Sequence, residues 1–199
     1  MIKIYNKLLE RFGHQLWWPT KTGRRFEIIA GAILTQNTNW KNVEKAIENL
    51  IENKLLSKEA IIHTPLDKIA ETIKPAGYYN QKAKKLKAFA SYTGKIKRDE
   101  ILKIWGIGPE TADSILLYAY NKPYFVVDAY TKRIFYRLGE LDGKEDYEDI
   151  RKLFEKKLPR SVDIYQEFHA LIVELAKKNC RKDPICENCP LTNICKVIS

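Results

Sequence analysis

Leu102-Lys103-Ile104-Trp105-Gly106-Ile107-Gly108-Pro109-Glu110-Thr111-Ala112, followed by Val126-Val127-Asp128, is the stretch on which the reading of this chain turns. An apolar helical end runs into Gly-Ile-Gly and a second helix starts at once, with Pro109 presetting φ for its first turn and Glu110 suiting the positive end of its dipole. Two helices joined by a tight glycine turn are predicted. Gly106 and Gly108 carry no Cβ, so the backbone can take φ > 0 there and a ligand can come very close. Backbone N–H groups at a turn feeding a helix N-terminus form an anion site, and a DNA phosphate is its natural occupant. Gly-x-Gly also occurs in plain helical turns, so the rest of the chain has to decide.

Outward from that hairpin, apolar residues recur at helical spacing. Ile4, Leu8, Leu9 and Phe12 make a short helix stopped at Gly13, and Phe26 to Leu34 is apolar nearly all round, as a central buried helix is. Trp40 to Ile51 carries Val43, Ala46, Ile47, Leu50 and Ile51 on one stripe; Ser57 to Ile62 and Pro65 to Ile73 read as two short helices, each opened by a cap or a proline. After the break at Pro75-Ala76-Gly77, Gln81 to Tyr92 turns Ala83, Leu86, Phe89 and Ala90 inward and Lys82, Lys84, Lys85 and Lys87 outward. Asp99 opens the helix leading to the hairpin, Thr111 to Tyr120 is a buried helix, and Asp128 heads a helix over Ala129 to Leu138. Tyr147 to Lys157 and Asp163 to Lys178 complete the series. No stretch alternates with period two for long, so the fold class is all-α, with about ten helices.

Hydrophobic residues make up 45% of the 199, enough for a core and against disorder. Thirty-five Lys and Arg against 25 Asp and Glu give a net charge of +10, which favours a polyanionic partner. No segment approaches the roughly 20 apolar residues of a membrane span, and Met1-Ile2-Lys3-Ile4-Tyr5 lacks the apolar core of a signal peptide. A soluble intracellular protein, cytoplasmic and with no membrane partner, is expected.

Several side chains invite two readings. Leu16-Trp17-Trp18-Pro19 is either a hydrophobic plug or a stacking wall for a planar base, a contact worth about 1–3 kcal/mol per base. Thr35-Gln36-Asn37-Thr38 either caps the buried helix or faces a ligand. The lysine stripe is a solvated face or a phosphate-facing one. Lys132 and Arg133, one turn beyond Asp128, either reach phosphate or lie on open surface. Asp128 itself is well placed as an N-cap. His14, His63 and His169 show no ligand or triad spacing, and His169 reads as a structural histidine in an apolar helix.

All four cysteines, Cys180, Cys186, Cys189 and Cys195, fall near the C-terminus as Cys-x5-Cys-x2-Cys-x5-Cys. Clustering and an intracellular setting disfavour disulfides. Four thiolates so spaced can hold zinc or a cubane iron–sulfur cluster; one compact loop, rather than two separated Cys-x2-Cys pairs, favours [4Fe-4S].

Taken together, Gly106-Ile107-Gly108, Val126-Val127-Asp128, Gln36 after a buried helix and the terminal cysteine loop resemble the endonuclease III superfamily of DNA glycosylases, in the right order and over nearly the whole chain. That resemblance implies a bilobal all-α helix-hairpin-helix fold: a six-helix barrel lobe over 22–126, and a lobe from 1–21 and 127–199 carrying the iron–sulfur loop. It also implies a monomer that binds damaged double-stranded DNA and flips the damaged nucleotide into the cleft between the lobes.

One departure matters. Bifunctional members keep a Schiff-base lysine two residues after the second glycine, where this chain has Glu110. A monofunctional glycosylase is therefore expected, without the usual route to strand cleavage. Ala32 stands where adenine glycosylases keep a catalytic glutamate. Leu16 to Pro19, Leu34 to Thr38, Ala76 to Ala83 and Gly108 to Asp113 look most like the 3-methyladenine DNA glycosylase branch. For this chain the branch implies a base pocket of Trp17, Trp18, Pro19 and Glu110, and DNA contacts from Gln36, Gly106, Gly108 and Lys132. Gln36 would fill the gap left by the flipped base. Asp128 would be the catalytic carboxylate, steadying an oxocarbenium-like sugar and activating water. The rivals are an endonuclease III-like glycosylase/lyase for oxidised pyrimidines that uses another lysine, and a non-catalytic lesion-binding protein.

Overall fold

The computed structural model describes residues 1–196, so the last three residues of the expected terminal lobe lie outside it. Among the described residues there are eleven α-helices and no strand, and no helix is long and apolar enough to cross a membrane. The chain divides into two compact units, Thr20–Tyr120 and a second made from Met1–Pro19 with the chain from Asn121 onward.

The Thr20–Tyr120 unit is built around α2 (Arg25–Leu34), whose Ile29 to Leu34 are all buried. Its one buried charge, Glu27, is satisfied by the loop before it: the Lys21 and Thr22 N–H groups and the Thr22 hydroxyl donate to it at 2.6–2.8 Å. Helix α3 (Trp40–Glu52), capped by Asn39, lays Val43, Ala46, Ile47 and Leu50 against α2, the spacing of a single helical face. Two short helices, α4 (Lys58–His63) and α5 (Leu66–Thr72), pack on α6 (Tyr79–Ser91).

The hairpin follows. Its first arm is a single turn, α7 (Arg98–Ile101), and its second is α8 (Pro109–Ser114). The guanidinium of Arg98 bridges both carboxylate oxygens of the fully buried Asp113 at 2.7 and 3.0 Å, stapling one arm to the other. Where a continuous helix to Tyr120 was expected, α8 passes into a π-helical turn over Ile115–Ala119. Every side chain of that turn is buried, and it packs on α2. Wider i→i+5 bonding re-aims a row of apolar side chains, something a 3.6-residue pattern does not encode.

The second unit has an aromatic core. It is held by α1 (Ile2–Phe12), α9 (Ala129–Arg137), α10 (Tyr147–Lys157) and α11 (Val162–Lys178). Phe125, Phe135, Phe154, Tyr165 and Phe168 are fully buried; Phe125 stacks on Phe154 at 4.3 Å and Phe135 meets Phe154 edge-on at 4.6 Å. Asp146 and Asp149 form a capping box on α10 and Ser161 caps α11. This core fixes the start of α9 and the middle of α11, where the candidate site lies.

Candidate active site

Asp128 is a cap whose second carboxylate oxygen is left outside the cap. Its Oδ1 accepts the Thr131 N–H at 2.7 Å and the Thr131 hydroxyl at 2.8 Å, which is the N-cap of α9. Its Oδ2 stands 3.6 Å from His169 Nε2, and 14% of the side chain remains open. Burial pushes the carboxyl up, but the neighbouring imidazole and the two Thr131 donors outweigh it, and the group is held below the ordinary aspartate range. The cap reading holds for Oδ1 and leaves Oδ2 outside the cap.

His169, read from sequence as structural, is the residue that reading missed. It projects from α11 toward Asp128, only 7% of its side chain exposed, and its ring lies 5.6 Å from that of Trp17 at 33°. A histidine 41 positions beyond an aspartate gives no spacing signal; only the packing of α11 on α9 joins them.

The Trp17-Trp18 loop is tied to the same helix. Glu167 accepts the Gln15 N–H at 2.8 Å and meets His14 Nδ1 at 3.2 Å. Lys177 Nζ lies 5.6 Å from the Trp17 ring centroid, and the two indoles are 6.2 Å apart at 45°. The indole N–H of Trp17 is buried with no hydrogen-bond partner among the described residues. Leu16 and Pro19 are exposed, and Leu16 sits at φ 48. Asp128, His169, Trp17 and Trp18 thus form one group in the second unit.

The hairpin residues form a separate group in the Thr20–Tyr120 unit. Gly106 is at φ +80 and a Cβ there would stand 2.5 Å from Lys85 Cγ, so glycine is required. Gly108 differs from the expectation: at φ −85, ψ 175 it is ordinary extended backbone, the N-cap of α8, with open space where a Cβ would go. That space leaves the N-terminus of α8 open to an anion. Gln36 does not cap α2. Its Nε2 donates to Thr111 Oγ1 at 2.8 Å and to Gly106 O at 3.3 Å, while Lys85 Nζ donates to its Oε1. Glu110 is exposed on the first turn of α8. Tyr78 is 71% exposed in a left-handed conformation at the head of α6.

Two expectations for basic residues need correction. Of the supposed outward lysines on α6 only Lys84 is exposed. Lys82 is 2% exposed and donates to Leu34 O and Ala76 O, both at 2.8 Å, so its ammonium ends α2 and the turn after α5. Burial, with Lys85 nearby, lowers its pKa to about 8. Lys87 donates to Thr64 O. Beyond Asp128, Lys132 is exposed, whereas Arg133 donates from Nε and Nη2 to Cys180 O at 3.0 and 2.8 Å.

The cysteine loop is braced rather than loose. Arg137 donates to Cys180 Sγ at 3.3 Å and to the Arg181 and Lys182 carbonyls, and the Thr192 hydroxyl donates to the Cys186 and Cys189 carbonyls. None of the four cysteines is in a disulfide, and all are partly exposed. Burial pushes the Cys189 thiol up, and Cys180 and Cys186 add to it, as expected for sulfurs sharing a small space. Among the described residues, however, no three His, Cys, Asp or Glu side chains are gathered in a metal-holding arrangement. The donor set fits a thiolate-ligated group by type; a finished cage is not formed.

An all-helical fold with a glycine hairpin, followed about twenty residues later by an ionised aspartate capping the next helix, defines a helix-hairpin-helix protein. The chain belongs to the HhH-GPD superfamily of base excision DNA repair proteins, whose family model matches residues 30–160. It is 51% identical over 209 aligned residues to the "Putative DNA repair glycosylase MJ1434" of Methanocaldococcus jannaschii, covering 97% of this chain and 94% of that protein. An endonuclease III of Thermotoga maritima is 30% identical over 86% of this chain and 82% of its own. Among solved structures, the H. pylori 3-methyladenine DNA glycosylase bound to 1,N6-ethenoadenine superposes with a TM-score of 0.75 at 30% identity, covering 89% of this chain and 95% of that one.

Proposed function

We propose that this protein is a monofunctional DNA glycosylase that removes alkylated purines such as 3-methyladenine from double-stranded DNA. The observation that carries the reading is the Asp128 group: a carboxylate kept ionised, with one oxygen committed to its helix and the other in a small space shared with His169 and Trp17. Alkylation puts positive charge on the purine, so the glycosidic bond is already weak and the base leaves with the bonding pair. Asp128 stabilises the developing sugar cation, and water adding to the anomeric carbon gives up its proton toward that carboxylate. Trp17 and Trp18 supply aromatic faces that favour a cationic base over a neutral one by about 0.5–2 kcal/mol, with Pro19 beside them in the loop.

The hairpin supports the DNA half of the reading. Gly106 and Gly108 present the open N-terminus of α8 to a phosphate, Lys132 is exposed on the surface where it can meet another, and Gln36 would have to leave its bonds to Thr111, Gly106 and Lys85 to replace the flipped nucleotide. Glu110 lends no amine to the reacting sugar, so the strand stays intact. The likeness to a 3-methyladenine glycosylase favours the substrate class. Cys180, Cys186, Cys189 and Cys195 would hold a [4Fe-4S] cluster, which would brace the loop against Arg133 and Arg137 and take no part in base release.

Replacing Asp128 with asparagine tests the site. Base release from a 3-methyladenine duplex should fall by roughly 10²-fold or more while affinity for the duplex is kept. An unchanged release rate would remove Asp128 from the chemistry.

A further inference from the structure

The conformation of Asp128 is not explained by its cap alone. Thr131 uses only Oδ1, through both its N–H and its hydroxyl. What faces Oδ2 is the Nε2 edge of His169, at 3.6 Å, and the same imidazole lies against Trp17. Several of the other charged groups on the elements packed around this histidine are engaged elsewhere. Glu167, two residues back on α11, is tied to Gln15 and His14. Lys177 lies over the Trp17 ring, and Arg133 of α9 is bound to the Cys180 carbonyl. Tyr5 of α1 is next to Glu167 and Asp163 rather than Asp128. Asp128 and His169 therefore face each other as an acid–base pair.

We propose that His169 is a positioning residue for the reaction: it holds the second oxygen of Asp128 and ties that carboxylate to the Trp17 face, so that the group acting on the sugar and the surface receiving the base keep a fixed spacing. This rests on the glycosylase reading above. The geometry gives the device its logic. A carboxylate anchored through Oδ1 alone can rotate about its terminal torsion, which is soft and broad. An imidazole packed on an aromatic ring closes that freedom, because the histidine cannot follow without disturbing Trp17. His169 also opposes the effect of burial on the acid, keeping Asp128 charged where its surroundings alone would favour the neutral form.

His169→Gln separates this role from a purely structural one. The single-turnover rate of base release should fall by roughly ten- to a hundred-fold, as misplacement of a reacting group does, with duplex affinity unchanged. The acid limb of the pH–rate profile should move up, since Asp128 loses the neighbour that helps keep it ionised. A variant that merely loosens the fold would lower the rate at every pH and leave the limb in place. The same shift is read without DNA by following the carboxyl carbon of Asp128 by NMR in labelled protein: its titration midpoint should rise in His169→Gln. A rise in the free protein without any glycosylase activity would sink the functional reading and leave the pairing standing. Activity whose acid limb, like the Asp128 midpoint, is indifferent to His169 would overturn the positioning role.

Discussion

Replacing Arg98 with leucine would remove the guanidinium that bridges both oxygens of Asp113, a carboxylate sealed in the hairpin. Asp113 is fully buried, Arg98 is 14% exposed, and their two bonds of 2.7 and 3.0 Å are in the fork-to-fork arrangement. Removing one member of such a pair costs about 3–5 kcal/mol, because the remaining charge is stranded in low dielectric. For a chain of this size each kcal/mol moves Tm by about 2–4 °C, so a drop on the order of 10 °C is expected in a thermal scan at neutral pH. Arg98→Lys should recover only part of it, since an ammonium lacks the planar fork that meets both carboxylate oxygens in parallel. The double variant Arg98→Leu with Asp113→Leu should recover most of the loss, because an apolar pair of similar volume is close to neutral. A fall of less than about 2 °C in Arg98→Leu would refute the argument: Asp113 would then have other means of satisfying its charge.

Other outcomes follow from the same structure. Lys82 keeps its proton in the unfolded chain up to about its ordinary 10.5 but loses it in the folded protein near 8. Folding therefore releases a proton in that window, and stability gains as pH rises from about 8 to 10.5, by up to about 3 kcal/mol at 1.36 kcal/mol per pH unit. Denaturant titrations of wild type and Lys82→Met across this range should diverge in favour of wild type as pH rises; parallel curves would mean that the amine is not desolvated. Gly106→Ala should cost about 1–3 kcal/mol, since alanine resists φ +80 and its methyl would press on Lys85. Gly108→Ala should cost no more than about 1 kcal/mol, because the backbone there is extended and open, yet weaken duplex binding if the α8 N-terminus takes a phosphate. Protein purified without oxygen should be brown from a cluster on Cys180, Cys186, Cys189 and Cys195; a colourless protein with zinc would assign the loop to the other metal.

Much of the architecture was legible because helical periodicity is a local signal. The stripe Val43, Ala46, Ile47 and Leu50 was read from spacing and is buried in α3. Two caps were read as well, Ser57 and Asp128, each accepting the expected N–H at a helix start, whereas the caps Asn39, Asp146 and Ser161 are seen only in the structure. What was not legible depends on which helices meet. Lys82 reads as a solvated or phosphate-facing lysine until α6 is placed where its amine can end α2, and Arg133 as a phosphate-facing or surface arginine until the cysteine loop comes back to it. His169 belongs to the same class: its partner is fixed by helix packing across 41 residues of chain. The π-turn after Ser114 escaped because one extra residue per turn leaves an all-apolar stretch looking like any buried helix. Gly108 was given a strained role for its kinship with Gly106, yet the two glycines serve different ends, one for φ and one for open space.

The central claim is that base release proceeds without strand cleavage, by a carboxylate and not an amine. It is tested most directly by incubating the protein with one duplex carrying 3-methyladenine and another carrying thymine glycol, then resolving the strands with and without alkali. The account predicts free 3-methyladenine, an intact strand that breaks only after alkali, and little release from thymine glycol. Strand breaks without alkali, or release from thymine glycol alone, would contradict it.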